Sequence, residues 1–468
     1  MRYLRICEFV TDHTDSLIMP STLSQLAADL DAGRITSLQL TEQALARIAD
    51  PAGEGARVFT SVYADQARAA ARASDTLRAA KLCRSPLEGV PVSVKDLFDV
   101  AGETTLAGSV VLRGKPAATA HAAVVQNLMK AGAIVIGKTN MTEFAYSGLG
   151  INPHYGTPQN TWERNLEGGR IPGGSSSGAA ISVTDGMAFA AVGSDTGGSV
   201  RIPSALNGLT GFKPTASRVS MQGVLPLSAY LDSIGPLAVS VECCAIMDAV
   251  LAGEAYVSVV AHPLRGLRLL APTNVVLDAM DETVGKAYRA ALDKLRASGA
   301  VIVEAEVPAF NALAAINAKG GFTAAEAYAW HRTLIAENAA GYDQRVVSRI
   351  LRGKDMSAAD LLDVLHARPR WIAEVQAQLA GYDALVMPTV PIVAPRIAEL
   401  QASDDAYYAA NGKILRNPTL INFLDGCAVS LPCHVPGTAP VGLSLAAAGG
   451  EDKRLLSIAL AVEGLLAA

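Results

Sequence analysis

Apolar positions recur at helical spacing over residues 21–30 and 36–48, which predicts two amphipathic helices. The second opens on Thr36-x-x-Gln39, a pattern in which each side chain can serve an unpaired amide of the first turn. Residues 58–63 read as a strand. Residues 65–80 read as an Ala/Arg-rich helix with a solvated face. Residues 89–94 form a strand that ends on Lys95. Residues 122–131 predict a helix, and 133–136 a short apolar strand buried on both faces.

From 147 to 178 the periodicity stops, and Gly, Pro, Asn and Ser dominate. A stretch of that length inside a compact chain is usually functional. Residues 179–191 read as helical or mixed, and 195–203 as a Gly-rich turn. A helix is expected at 282–298, a strand at 301–307 and helices within 334–379. Strands at 384–387, 428–431 and 441–445 precede a closing helix at 453–466. No repeat, low-complexity tract or Pro/Gly/Ser linker divides the chain. Residues 21–468 are therefore expected to be one domain. Residues 1–20 read as an extension before the first periodic pattern, with Met19 as an alternative start.

Half of the 468 residues are apolar, aromatics are few, and the texture is that of an α/β enzyme. A formal net charge of -5 favours neither nucleic acid nor an anionic membrane. Six scattered cysteines, with no CxxC pair, suit reduced thiols in a reducing compartment. Glu8, Asp12 and Asp15 stand where a secretory apolar segment would lie, and residues 455–468, interrupted by Glu463, are too short to span a bilayer. A cytoplasmic protein is the expectation.

Two motifs are decoys. Gly132–Thr139 fits the phosphate-loop expression GxxxxGK[ST], but its middle residues, Ala133, Ile134, Val135 and Ile136, make a strand and not a loop. Gly174-Ser175-Ser176-Ser177-Gly178 fits the GxSxG elbow, but no apolar strand runs into it. His262, His331, His366 and His434 have no context that would make one of them a triad partner. No metal-ligand spacing is present, and no cofactor is expected.

Three pieces remain. The first is Gly89-Val-Pro-Val-Ser-Val-Lys95-Asp96, where a strand-end lysine either reaches solvent, pairs with Asp96, or is buried and loses its charge. The others are Pro172-Gly-Gly-Ser-Ser-Ser-Gly178 and Gly193-Ser-Asp-Thr-Gly-Gly-Ser199-Val-Arg201-Ile-Pro203. Glycines beside a serine let successive amides converge on one concavity, which can hold a developing oxyanion.

These pieces, in this order, resemble the amidase signature family. Ser199 follows Ser175 by 24 residues, which is the family's spacing. Lys95-Asp96-Leu97, Gly137-Lys-Thr-Asn140 and Gly211-Phe-Lys-Pro214-Thr215 agree as well. The likeness runs from about residue 22 to the C-terminus and is strongest over 86–236. It implies a large mixed, mostly parallel twisted sheet with helices on both faces. It also implies Ser199 as nucleophile, Ser175 as relay after a cis peptide bond, and Lys95 as base. The amides of Thr196, Gly197, Gly198 and Ser199 would form the oxyanion hole. Ser176, Asp195 and Arg201 would brace the loops, with Arg201 pairing to Asp195 in preference to a substrate carboxylate. Ala145 and Gly174 would line the substrate funnel. Ser177, Ile181 and Thr184 depart from the family pattern.

The activity implied is hydrolysis of a small amide to an acid and ammonia or an amine. A homodimer is a family-level expectation. The rival is the glutamine-hydrolysing component of a tRNA-dependent amidotransferase, which belongs to the same family. Its Gly- and Tyr-rich segment is not matched by residues 341–352, which favours a stand-alone amidase.

Overall fold

Thr36 and Gln39 form the reciprocal cap that their spacing predicts, and the helix Ser37–Ala49 starts there. The computed structural model describes residues 21–467. The expected extension, residues 1–20, and the alternative start at Met19 lie outside the described residues.

Among the described residues, eleven strands make one sheet. They are β1 Phe59–Val62, β2 Pro91–Lys95, β3 Ile134–Thr139, β4 Ala190–Asp195, β5 Thr210–Lys213 and β6 Ser233–Ala238, followed by β7 Arg268–Pro272, β8 Val301–Ala305, β9 Ala384–Pro388, β10 Cys427–Pro432 and β11 Gly442–Ala447. Their order is β1-β3-β2-β4-β6-β5-β10-β11-β9-β7-β8.

The sheet is mixed and covered by helices, as expected, but it is not mostly parallel. Six of its ten strand pairings are antiparallel. Parallel pairing needs a crossover. It occurs only in β3-β2-β4 and β9-β7-β8, where helices such as Ala123–Lys130 and Glu282–Ala297 intervene. Residues 433–441 join β10 to β11 directly, and that short return forces an antiparallel pair.

Both faces of the centre are buried. Along β4, Ala190 and Val192 pack in the cluster that contains the helix Val241–Leu251. Ala191 packs with Ala179, Ala180 and Val183 of the helix Ser177–Thr184 on the other side. The departures from the family pattern are accommodated here. Ile181 fills a cluster with Val58, Ile134 and Met187, and the Thr184 hydroxyl donates to the Ile181 carbonyl.

Apart from one isolated bridge, Arg170–Arg396, residues 147–176 form neither helix nor strand. Their backbone is held by side chains: Asn152 Nδ2 donates to the Gly108 and Met141 carbonyls (2.8 and 2.7 Å), and Asn160 Nδ2 to Leu206 O (2.7 Å). The phosphate-loop match lies in β3, which confirms it as a decoy.

Candidate active site

Parallel β2 and β4 end at one edge of the sheet, and antiparallel β6 begins there. Ligands of open α/β sheets bind outside such carboxyl ends. Val94 pairs with Val192, so Lys95 comes level with Gly193 and Ser194.

Lys95 is fully buried, with Nζ 2.7 Å from Ser175 Oγ and 2.9 Å from Ser194 Oγ. It neither reaches solvent nor pairs with Asp96, whose carboxylate sits 2.7 Å from Lys138 Nζ instead. Burial pushes the Lys95 amine down to about 7, against the opposing charges of Asp232 and Asp195.

Ser175 is fully buried and follows a cis Gly174–Ser175 bond. Gly174 was expected among the substrate contacts, but it packs behind the loop. Its N–H donates to Gly148 O (2.8 Å), and a Cβ there would come 2.6 Å from Gly150 N. Gly174 does not line the cavity over Ser199.

Ser199 follows the turn after β4. Gly198 takes a φ of 123°, and a Cβ would meet Ile202 Cδ1 and Pro418 Cβ at 2.6 Å, so only glycine fits. The Gly198 N–H donates to Asp195 Oδ1 (2.9 Å), which removes it from the expected set of oxyanion donors. Among the described residues the Thr196, Gly197 and Ser199 amides have no protein acceptor. The two serine loops are joined by the Ser176 N–H donating to Ser199 O (3.3 Å). No hydrogen bond among the described residues links the Ser175 and Ser199 hydroxyls.

Arg201 is a brace. It is fully buried and bidentate to Asp195 (3.0 and 2.9 Å), and its Nη2 also donates to Pro418 O and Asn422 Oδ1. Burial opposes ionisation of Asp195, but the Arg201 guanidinium overrides it and holds the carboxyl well below the usual range. Asn422 Nδ2 donates back to Asp195 O and Oδ1 (2.9 and 2.8 Å). Nη1 is buried with no hydrogen-bond partner among the described residues, and Arg201 does not line the cavity over Ser199.

A cavity of ≈ 180 Å³ opens over Ser199. Thr196 and Gly197 form one side, Ala145 and Tyr146 another, and Leu227, Leu231, Phe322 and Leu415 the apolar remainder. Arg349 also faces it. Phe144 and Ala145 hold φ values of 50° and 59°, a left-handed turn that costs non-glycine residues energy. Glu143 anchors that turn, accepting from Ser109 Oγ (2.6 Å), His154 Nε2 (2.9 Å) and Asp343 N (2.7 Å).

Residues 39–456 match the family model described as Amidase. The chain belongs to the amidase family. Amidases are hydrolases of C–N amide bonds, and that is the activity class of this chain. It is 36% identical over 405 residues to the 2-amino-5-chloromuconic acid deaminase of Comamonas testosteroni, covering 86% of this chain and 87% of the relative. It is 32% identical to the A component of the glutamyl-tRNA(Gln) amidotransferase of Chloroflexus aurantiacus, covering 95% of this chain and 96% of that one. A solved amidase crystal structure superposes with a TM-score of 0.85 at 31% identity, covering 95% of this chain and 99% of that chain.

Four residues of this amidase site escaped the sequence reasoning. Ser194 had a signal, as a hydroxyl beside Asp195 at the end of the fully buried β4. Asp232, Arg349 and Asn422 reach the site from distant segments and had none. Among the described residues no helix is long and apolar enough to cross a membrane.

Proposed function

We propose that this amidase hydrolyses a small amide carrying a carboxylate, through an acyl-enzyme on Ser199, with Ser175 as relay and Lys95 as base. The observation that carries this reading is the fully buried Lys95 amine 2.7 Å from Ser175 Oγ, in an environment that favours its neutral form. A neutral amine has one lone pair and two N–H bonds. Ser194 Oγ accepts one N–H, which leaves the lone pair for the Ser175 proton. Ser175 in turn takes the proton of Ser199 as Ser199 attacks the amide carbon. Hydroxyl rotation brings the two serines into line, and such contacts tighten on substrate binding. The Gly197 and Ser199 amides stabilise the oxyanion. The proton returns to the leaving nitrogen, ammonia or an amine departs, and water releases the acid.

The carboxylate follows from Arg349. It is the one Lys or Arg on the cavity wall, stands over the Tyr146 ring (4.6 Å to the centroid), and makes no ion pair among the described residues. The likeness to a deaminase of 2-amino-5-chloromuconic acid agrees with an acidic substrate. A panel of small amides, with and without a carboxylate, tests this. The acids should turn over faster, and equal rates would contradict the substrate class.

The second reading is the glutamine-hydrolysing component of an amidotransferase, favoured by the 95% of this chain that aligns with such a protein. Glutaminase activity together with a co-purifying partner would establish it. Turnover of small amides by the purified chain alone supports the stand-alone enzyme.

A further inference from the structure

We infer that Asp232 is a positioning residue that ties the oxyanion turn to the wall of the acyl cavity. Its carboxylate is buried at the start of β6. Oδ1 accepts the Thr196 hydroxyl (2.5 Å), and Oδ2 accepts the amides of Leu227 (2.9 Å) and Ser228 (3.1 Å). Thr196 and Leu227 both line the cavity, so one carboxylate fixes the spacing between the turn that presents the oxyanion donors and the facing wall. The same loop carries Leu231 into the cavity and stacks Tyr230 on Phe322 (4.6 Å between centroids). The same stretch is also held by Glu326, which accepts the Ala229 amide (2.9 Å) and the Ser228 hydroxyl. Without Asp232 the Thr196 side chain and the loop are no longer tied, and the donors of a water-poor site lose their preset placement.

The charges that bear on this edge are Lys95, Asp195 with Arg201 and Lys213 beside it, Asp232, and Glu326 with Arg368 beside it. Burial pushes Asp232 up to about 6, the Thr196 hydroxyl and the Ser228 and Leu227 amides pull it back, and Glu326 pushes it further up. Once ionised, Asp232 raises the proton affinity of Lys95. A neutral residue at 232 should therefore let Lys95 lose its proton at lower pH. That shift reports the lost charge alone; the positioning role is read from the rate and from its recovery in Thr196→Ser.

The inference rests on Ser199 and Lys95 acting as proposed. Its test is the rate at which a fluorophosphonate probe labels Ser199 in the full chain, from about pH 5 to 9, which needs no knowledge of the substrate. Asp232→Asn should label on the order of 10-fold more slowly or worse, with its acid limb displaced to lower pH. Thr196→Val should reproduce the slowing, Thr196→Ser should recover most of the rate, and the double variant should be no slower than Asp232→Asn. A folded Asp232→Asn with wild-type rate and limb, or slowing that multiplies in the double variant, would overturn the inference. If Asp232→Asn does not fold, Thr196→Val decides, and a wild-type rate there overturns it. A wild-type chain that does not label contradicts the Ser199 reading itself. A labelled wild type with unchanged variants contradicts only the role of Asp232.

Discussion

β2 and β3 are parallel neighbours, and each carries a buried lysine near its end. Lys138 on β3 meets a carboxylate, Asp96, at 2.7 Å. Lys95 on β2 meets two hydroxyls, Ser175 and Ser194. A buried lysine beside a carboxylate has a partner for its charge, and removing one of the two strands the other. A buried amine that hydrogen-bonds only to hydroxyls sheds its proton near neutral pH, as the proposed base requires. The partner, and not burial alone, separates structure from chemistry. Lys138 is also the lysine of the phosphate-loop look-alike, so the residue with the more familiar motif is the structural one.

The sharpest way to break this contrast is to remove one lysine at a time. Ser199→Ala and Lys95→Met should each lower amide turnover on the order of 10⁴-fold or more, measured as kcat/KM. Ser175→Ala should leave a small residual rate. Lys95→Met should at the same time raise Tm. Between about 7 and the ordinary lysine value the unfolded chain binds a proton that the folded chain does not. Folding stability therefore rises with pH across that window. Below it the full penalty of the buried amine applies, on the order of a few kcal/mol. Thermal melts of wild type and Lys95→Met at pH 7 check this, and a lower Tm in the variant would count against a buried neutral base.

At the other strand end the signs reverse. Asp96→Asn leaves the Lys138 charge unpaired and should cost about 3–5 kcal/mol of stability in denaturant titrations. Turnover per folded molecule should stay near wild type. Arg201→Lys should likewise lower stability without changing the preference among substrates, because the Asp195 fork is lost and no substrate contact is. The smallest effect is expected at the cavity wall. Arg349→Gln should reduce the preference for carboxylate-bearing over neutral amides roughly 10-fold, read as the ratio of kcat/KM values.

Ser175, Ser199 and Lys95 could be singled out as candidates because each lies in a short local piece with its own glycines. The Thr36 cap and the β2 and β3 strands were legible for the same reason. What was not legible depends on long-range assembly. Asn422 meets Asp195 across 227 residues, and no local pattern marks it. Arg349 sits on the short amphipathic helix Gln344–Leu351, and only folding aims it at Ser199's cavity. β6 includes Gly235 and Pro236, which argue against a central strand, yet Pro236 pairs with Val192. The helix Val241–Leu251 is buried along its whole length, so it shows no apolar stripe to read. Nor does the sequence reveal that the Gly198 amide bonds to Asp195.

The pH dependence of Ser199 labelling by a fluorophosphonate, compared between wild type and Lys95→Met, tests most directly whether Lys95 is the base. The rate for wild type should climb through about pH 7 and then level, following the loss of the Lys95 proton. The variant should label on the order of 10³-fold more slowly and show no such limb. A Lys95→Met chain that labels at the wild-type rate, or keeps the same limb, would contradict the account.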